Sequence, residues 1–133
     1  MTAIADITVK KADNSTNITW SGVAGAAGGS PALWRSNSAN SGTVGQKPTL
    51  ELKARSSSNG AVRWIDYKVT YPAVYTETNT SLTKVLSTMI LSGSVSVPQG
   101  ISATDMAEFA AQATALLHDS MVTGSITSGY GPT

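Results

Sequence analysis

The feature that most constrains this chain is a strict polar/apolar alternation on both sides of one turn. Thr49-Leu50-Glu51-Leu52-Lys53-Ala54-Arg55 alternates without a break, and Val62-Arg63-Trp64-Ile65-Asp66-Tyr67-Lys68-Val69-Thr70-Tyr71 alternates again. Between them lies Ser56-Ser57-Ser58-Asn59-Gly60, a run of turn residues. Strand side chains point to opposite faces in turn, so both segments read as strands with one apolar and one polar face. The polar set is Thr49, Glu51, Lys53 and Arg55 on the first strand, and Asp66, Lys68 and Thr70 on the second, with Trp64 among them. An antiparallel pair can hold one face in a core and the other in water.

Other strands flank this pair. Ile4–Val9 and Asn17–Val23, linked by a turn-rich segment, predict an N-terminal hairpin. Ala24–Ser30 reads as a flexible connector, and Pro31–Arg35 as a short strand. Ser36–Gly45 reads as a polar loop. The second central strand is expected to close at Pro72, followed by a long loop over Val74–Thr83. Lys84–Val97 predicts a long strand, with Met89, Leu91, Val95 and Val97 on one face and Ile90, Ser92, Ser94 and Ser96 on the other. Pro98-Gln-Gly100 ends it.

One strong helix follows. Ser102 and Asp105 have capping-box spacing. Met106, Phe109, Ala110, Ala113, Leu116 and Leu117 then form an apolar stripe at helical period. Val122–Ile126 predicts a second, short helix. Strands followed by helices indicate an α+β fold with the helices on one face of the sheet. A helix and a stub cover such a sheet poorly, so a dimer is expected, a second copy supplying the cover.

With 133 residues the chain has about one domain's length. It has no cysteine, hence no disulfide framework and no thiolate metal site. No His/Cys/Asp cluster has metal spacing, and no cofactor is expected. No basic stretch followed by an apolar run marks a leader at the N-terminus, and no apolar run approaches the ~20 residues that cross a bilayer. The single histidine, His118, stands beside Asp119 on a helix, where neighbours do not face each other, so no catalytic triad is expected. The chain does not read as an enzyme.

Net charge is only +1, yet seven basic residues against three acidic ones lie between Arg35 and Lys84, and no basic residue follows Lys84. The asymmetry suggests one half facing a polyanion. Lys and Arg neutralise phosphates, and an aromatic such as Trp64 can stack on an unpaired base.

Three segments carry a resemblance: Ala32-Leu-Trp-Arg-Ser-Asn-Ser38, Leu52-Lys-Ala-Arg-Ser-Ser-Ser-Asn59 and Tyr67-Lys-Val-Thr-Tyr-Pro-Ala-Val74. With Val97-Pro98, Asp105, the Ala-rich helix with Leu116-Leu117, and Ser128-Gly-Tyr130, they resemble, in order, the coat proteins of single-stranded RNA bacteriophages, the levivirus group. The resemblance covers residues 30 to 133. It implies a single coat-protein domain over 1–133, with an N-terminal hairpin (1–23), a five-stranded antiparallel sheet (31–97) and two C-terminal helices (102–127). It further implies an interlocked dimer with a ten-stranded sheet, its helices meeting the partner through Met106, Phe109, Ala113, Leu116 and Leu117. Dimers would build an icosahedral shell, the virion capsid, in the bacterial cytoplasm.

The inner sheet face would bind genomic RNA and a hairpin at the replicase start, repressing translation. By position the RNA-binding residues would be Thr49, Glu51, Lys53, Arg55, Trp64, Asp66, Lys68, Thr70, Ile90, Ser92 and Ser94. Thr49 and Lys68 match residues of the family's adenine pocket. The chain departs from the family at Ile90, where a stacking tyrosine stands, and at Glu51, where a small hydroxyl residue is common. The rival readings are a stand-alone dimeric RNA-binding module without a shell, and a surface adhesin, which would need an export signal.

Overall fold

The computed structural model describes residues 3–36 and 43–133. The middle of the expected loop Ser36–Gly45 lies outside the described residues. Six strands run in sequence order through one sheet: β1 Ile7–Lys10, β2 Asn17–Ala24, β3 Ala32–Ser36, β4 Thr49–Ser56, β5 Val62–Thr76 and β6 Thr83–Pro98. Two helices follow, α1 Ala103–His118 and α2 Ser120–Ser128. By its contacts the chain forms two compact units, Met1–Ser96 and Val97–Thr133.

The sheet has six strands where the resemblance implied a hairpin beside five. The N-terminal hairpin is part of the sheet, because β2 pairs with β3 through Trp20↔Ser36, Ser21↔Arg35 and Gly22↔Trp34. The first strand starts at Ile7 rather than Ile4. Residues just before it are held by other bonds: the Gly22 N–H donates to the Asp6 carboxylate at 3.0 Å, and Trp34 Nε1–H donates to the Ala5 carbonyl at 2.7 Å. Trp34 is the most buried large apolar side chain of the sheet unit, at 9% exposure. It shares its face with Leu50 and Val69, its neighbours in register on β4 and β5.

Two further expectations are corrected. The segment Ala24–Ser30 contains a tight turn, not a flexible connector. Gly28 and Gly29 take φ of 55° and 86°, and Ser30 N–H donates to the Ala27 carbonyl at 2.9 Å. Positive φ at both central residues matches the right-handed twist of the flanking strands.

The second correction concerns Pro72. It does not close β5, which continues to Thr76. Pairing with β4 ends at Thr70, so the proline's missing N–H falls where no β4 ladder needs it. The expected long loop Val74–Thr83 is therefore a short turn over residues 77–82. Glu77 N–H donates to Leu82 O at 2.9 Å, and Ser81, at φ 55°, donates to Glu77 O at 2.8 Å. A Glu77–Lys84 ion pair at 2.8 Å closes the hairpin, and Gln46 Nε2–H donates to Thr83 O at 2.9 Å where β6 begins. The β6 strand otherwise matches its expected span.

In the helical unit, the Asp105 N–H donates to the Ser102 hydroxyl at 3.1 Å, the cap that the spacing predicted. The second helix is longer than the expected Val122–Ile126. Asp119 caps its start by accepting from Met121 N–H at 2.9 Å, and Gly129, at φ 80°, ends it.

Trp34→Phe keeps most of the buried ring but strands the Ala5 carbonyl. It is expected to lower stability by about 1–2 kcal/mol in denaturant titration; an unchanged midpoint would show that the tryptophan–Ala5 bond contributes nothing.

Candidate nucleic-acid interface

The register of β4 on β5 assembles the polar face. Thr49 lies opposite Thr70, Glu51 opposite Lys68, Lys53 opposite Asp66, and Arg55 opposite Trp64. Directly opposed residues of an antiparallel pair share a face and sit within side-chain reach. All eight central-strand residues named from the sequence therefore lie on one side.

The last strand joins them: the Ser94 hydroxyl donates to Asp66 Oδ1 at 2.5 Å. Ser92 and Ser94, with Glu51, Lys53, Asp66 and Lys68, line an open pocket of about 400 Å³. Ile90 falls on the same alternation of β6 and is 59% exposed.

One charged residue on this face was not read from the sequence. Arg35 pairs with Thr49 on one side and Ser21 on the other, which places it with the polar set. Its place depends on the β3–β4 register, for which a short strand bounded by a polar loop gives no local signal. Leu33, opposite Glu51, shares the face.

The charges are not equally available. Arg55 Nε–H donates to Asp66 Oδ2 at 2.7 Å and a terminal N–H donates to Oδ1 at 3.3 Å. The same guanidinium lies 4.6 Å from the centroid of the Trp64 ring, a cation–π contact. One face of Trp64 is thus already occupied. The Arg55 hydrogen bonds, then the Ser94 hydroxyl, hold the Asp66 carboxyl below the usual carboxylate range, and the Asp66 contact raises the Arg55 guanidinium further. Among the described residues, Lys53, Lys68 and Glu51 take part in no salt bridge.

The opposite face of the sheet is apolar. It holds a groove of about 670 Å³ lined by Ile4, Trp34, Leu52, Ala54 and Ile65, among others. The helical stripe named from the sequence is exposed: Met106 at 37%, Phe109 at 54%, Leu116 at 66% and Leu117 at 49%, with Ala113 half-buried. Neither helix buries a residue. His118 is exposed at the last turn of α1, while Asp119 is committed to capping α2. Among the described residues no group of His, Cys, Asp or Glu could hold a metal ion. None of the described helices is long and apolar enough to cross a membrane.

No protein-family model matches the sequence, and no curated protein matches it. Solved structures do. The virus-like particle of Beihai levi-like virus 21 superposes with a TM-score of 0.81 at 20% identity, covering 99% of each chain. The virus-like particle of bacteriophage NT-214 gives 0.80 at 17%, covering 99% of this chain and 100% of that one. The capsid protein of bacteriophage GA gives 0.74 at 17%, covering 96% and 95%. The chain has the levivirus capsid-protein fold. The resemblance read from residues 30 to 133 thus extends, as fold, over nearly the whole levivirus-type chain, the N-terminal hairpin included.

Because Asp66 owes its lowered pKa first to Arg55, Arg55→Ala should move its titration midpoint upward. Carboxyl chemical shifts followed by NMR against pH would show this, and an unmoved midpoint would contradict the pairing. The native contacts favour ionised Asp66, so their contribution is full above the ordinary carboxylate pKa. It is lost as pH falls through the depressed one.

Proposed function

We propose that this chain is the coat protein of a single-stranded RNA phage, a structural protein that assembles through dimers into an icosahedral shell around RNA. The observation that carries the reading is β6. It is sixteen residues long, it is the last strand of the sheet, and among the described residues no strand pairs with its outer edge. Along it Leu86 is 74% exposed, Met89 57%, Ile90 59% and Leu91 48%. A long strand edge with unpaired backbone groups is a template for another strand. A second copy docking edge to edge would extend the sheet across the dimer. With six strands from each copy, the expected ten-stranded sheet becomes twelve-stranded.

The exposed stripe of Met106, Phe109, Ala113, Leu116 and Leu117 fits the same partner, since the apolar groove around Trp34 and Leu52 offers a surface of matching character. The solved neighbours are assembled particles, which supports shell formation by this chain.

RNA packaging rests on the polar face. Thr49, Lys53, Arg55, Trp64, Lys68 and Thr70, with Ser92 and Ser94 from β6, present donors and charge to phosphate and base edges. Glu51 and Asp66 are acceptors that tune which bases fit, and Ile90 extends the face. Lys53 and Lys68, the lysines of this face, take part in no ion pair among the described residues, so they carry most of the phosphate neutralisation there. Repression of replicase translation through an RNA hairpin belongs to the same face. The virion is the destination, with assembly in the host cytoplasm.

The test is electron microscopy of the protein purified from an overexpressing bacterium, with absorbance at 260 and 280 nm on the same fraction. Uniform round shells rich in RNA are expected. A protein without shells or RNA would overturn the proposal, whereas an RNA-bound dimer without shells would favour a stand-alone binding module. Lys53→Ala combined with Lys68→Ala should lower the RNA content of shells that still assemble; equal content would remove the two lysines from the interface. Phe109→Ala should weaken the dimer by about 3–5 kcal/mol if the ring is buried between copies, read from dissociation in sedimentation; an unweakened dimer would leave Phe109 outside the interface.

A further inference from the structure

The pocket between β4, β5 and β6 contains a carboxylate that none of the described residues uses. Glu51 forms no hydrogen bond and no ion pair with the described residues, although Lys68 stands opposite it in register. The second carboxylate of the pocket is in a different condition. Asp66 is held by two Arg55 N–H groups and by the Ser94 hydroxyl, so its acceptor capacity is largely taken. The pocket thus offers one free two-oxygen acceptor, Glu51, with the Lys68 ammonium on the neighbouring strand. Its volume of about 400 Å³ lies within the range of small-ligand sites, about 300–1,000 Å³.

We propose that this pocket takes a guanine base, with Glu51 as the residue that selects it. The proposal rests on the RNA-binding reading of the face. Guanine is the one RNA base with two adjacent N–H donors, N1–H and the exocyclic N2–H₂. They match the two oxygens of a carboxylate in parallel bonds, and charge-assisted pairs of this kind are the strong ones. Guanine O6 stands next to N1–H and accepts from an ammonium, as Lys does at base edges.

The other bases fit worse. Adenine sets the N1 lone pair beside its amino group, and cytosine sets N3 beside its own, so one carboxylate oxygen would face a lone pair. Uracil has a single N3–H between two carbonyls. The adenine preference implied by the coat-protein resemblance is therefore reversed by Glu51. The direct Glu51–Lys68 attraction that the base must interrupt is weak, since the two groups form no ion pair.

The test uses the full-length protein, kept dilute and shown by light scattering to be unassembled. Short labelled oligouridine RNAs carry one central guanine, inosine, adenine or cytosine, and binding is read by fluorescence anisotropy. Guanine should bind about tenfold more tightly than adenine or cytosine. Inosine, which lacks the 2-amino group, should fall between. Glu51→Gln should erase the guanine preference, bringing the guanine RNA to the affinity of the adenine one. Equal binding of all four, or a guanine preference that survives Glu51→Gln, would overturn the proposal and leave the RNA face standing. Failure of every RNA to bind would overturn both.

Discussion

The antiparallel ladder between β4 and β5 is the interaction on which the structure depends. Its eight registered pairs, from Thr49↔Thr70 to Ser56↔Arg63, decide which side chains share a face. A slip of one residue would send the whole polar set to the other side of the sheet and bring Leu50 and Leu52 into water. The ladder also joins Arg55, Trp64 and Asp66 in one cluster and leaves Glu51 and Lys68 side by side without a bond. The same alternation thus creates the apolar surface around Trp34 and the charged surface behind it.

What the chain does not satisfy by itself matters as much. The β6 strand presents large apolar side chains, no described strand pairs with its outer edge, and neither helix buries a residue. Full burial of a leucine, methionine or phenylalanine is worth about 1.5–3 kcal/mol. Burial of Met89, Leu91, Phe109 and Leu116 against a second copy would therefore add stabilisation that the contacts within each unit leave unrealised. In a coat protein the self-association that completes the fold is also the first step of building a shell. On the proposed reading, the charged face on the same sheet would tie that assembly to RNA.

The sequence showed what depends on short-range pattern. The alternation of β4, β5 and β6, the polar face it implies, and the Ser102-capped helix with its apolar stripe were all legible. What escaped depends on pairing or on conformation at single residues. Arg35 joins the polar face only through its register with Thr49. Pro72 sits inside β5 because β4 has already ended there, which no local signal reports. Gly28 and Gly29 form a turn through their positive φ, though their composition reads as a flexible link. The extent of α2 rests on the Asp119 cap and the left-handed Gly129, which apolar periodicity over Val122–Ile126 does not report. The Arg55–Trp64 contact follows from register and side-chain direction, so the partial covering of Trp64 could not be read from spacing.

Hydrogen–deuterium exchange along Thr83–Pro98 in the purified protein tests the central claim most directly, namely that a second copy pairs with the free edge of β6. Slow exchange at the amides of both edges of β6, comparable to those of β5, is the predicted result. Fast exchange at every second amide of β6, those of the outer edge, would mean that the edge stays open and that the chain is not completed by a second sheet.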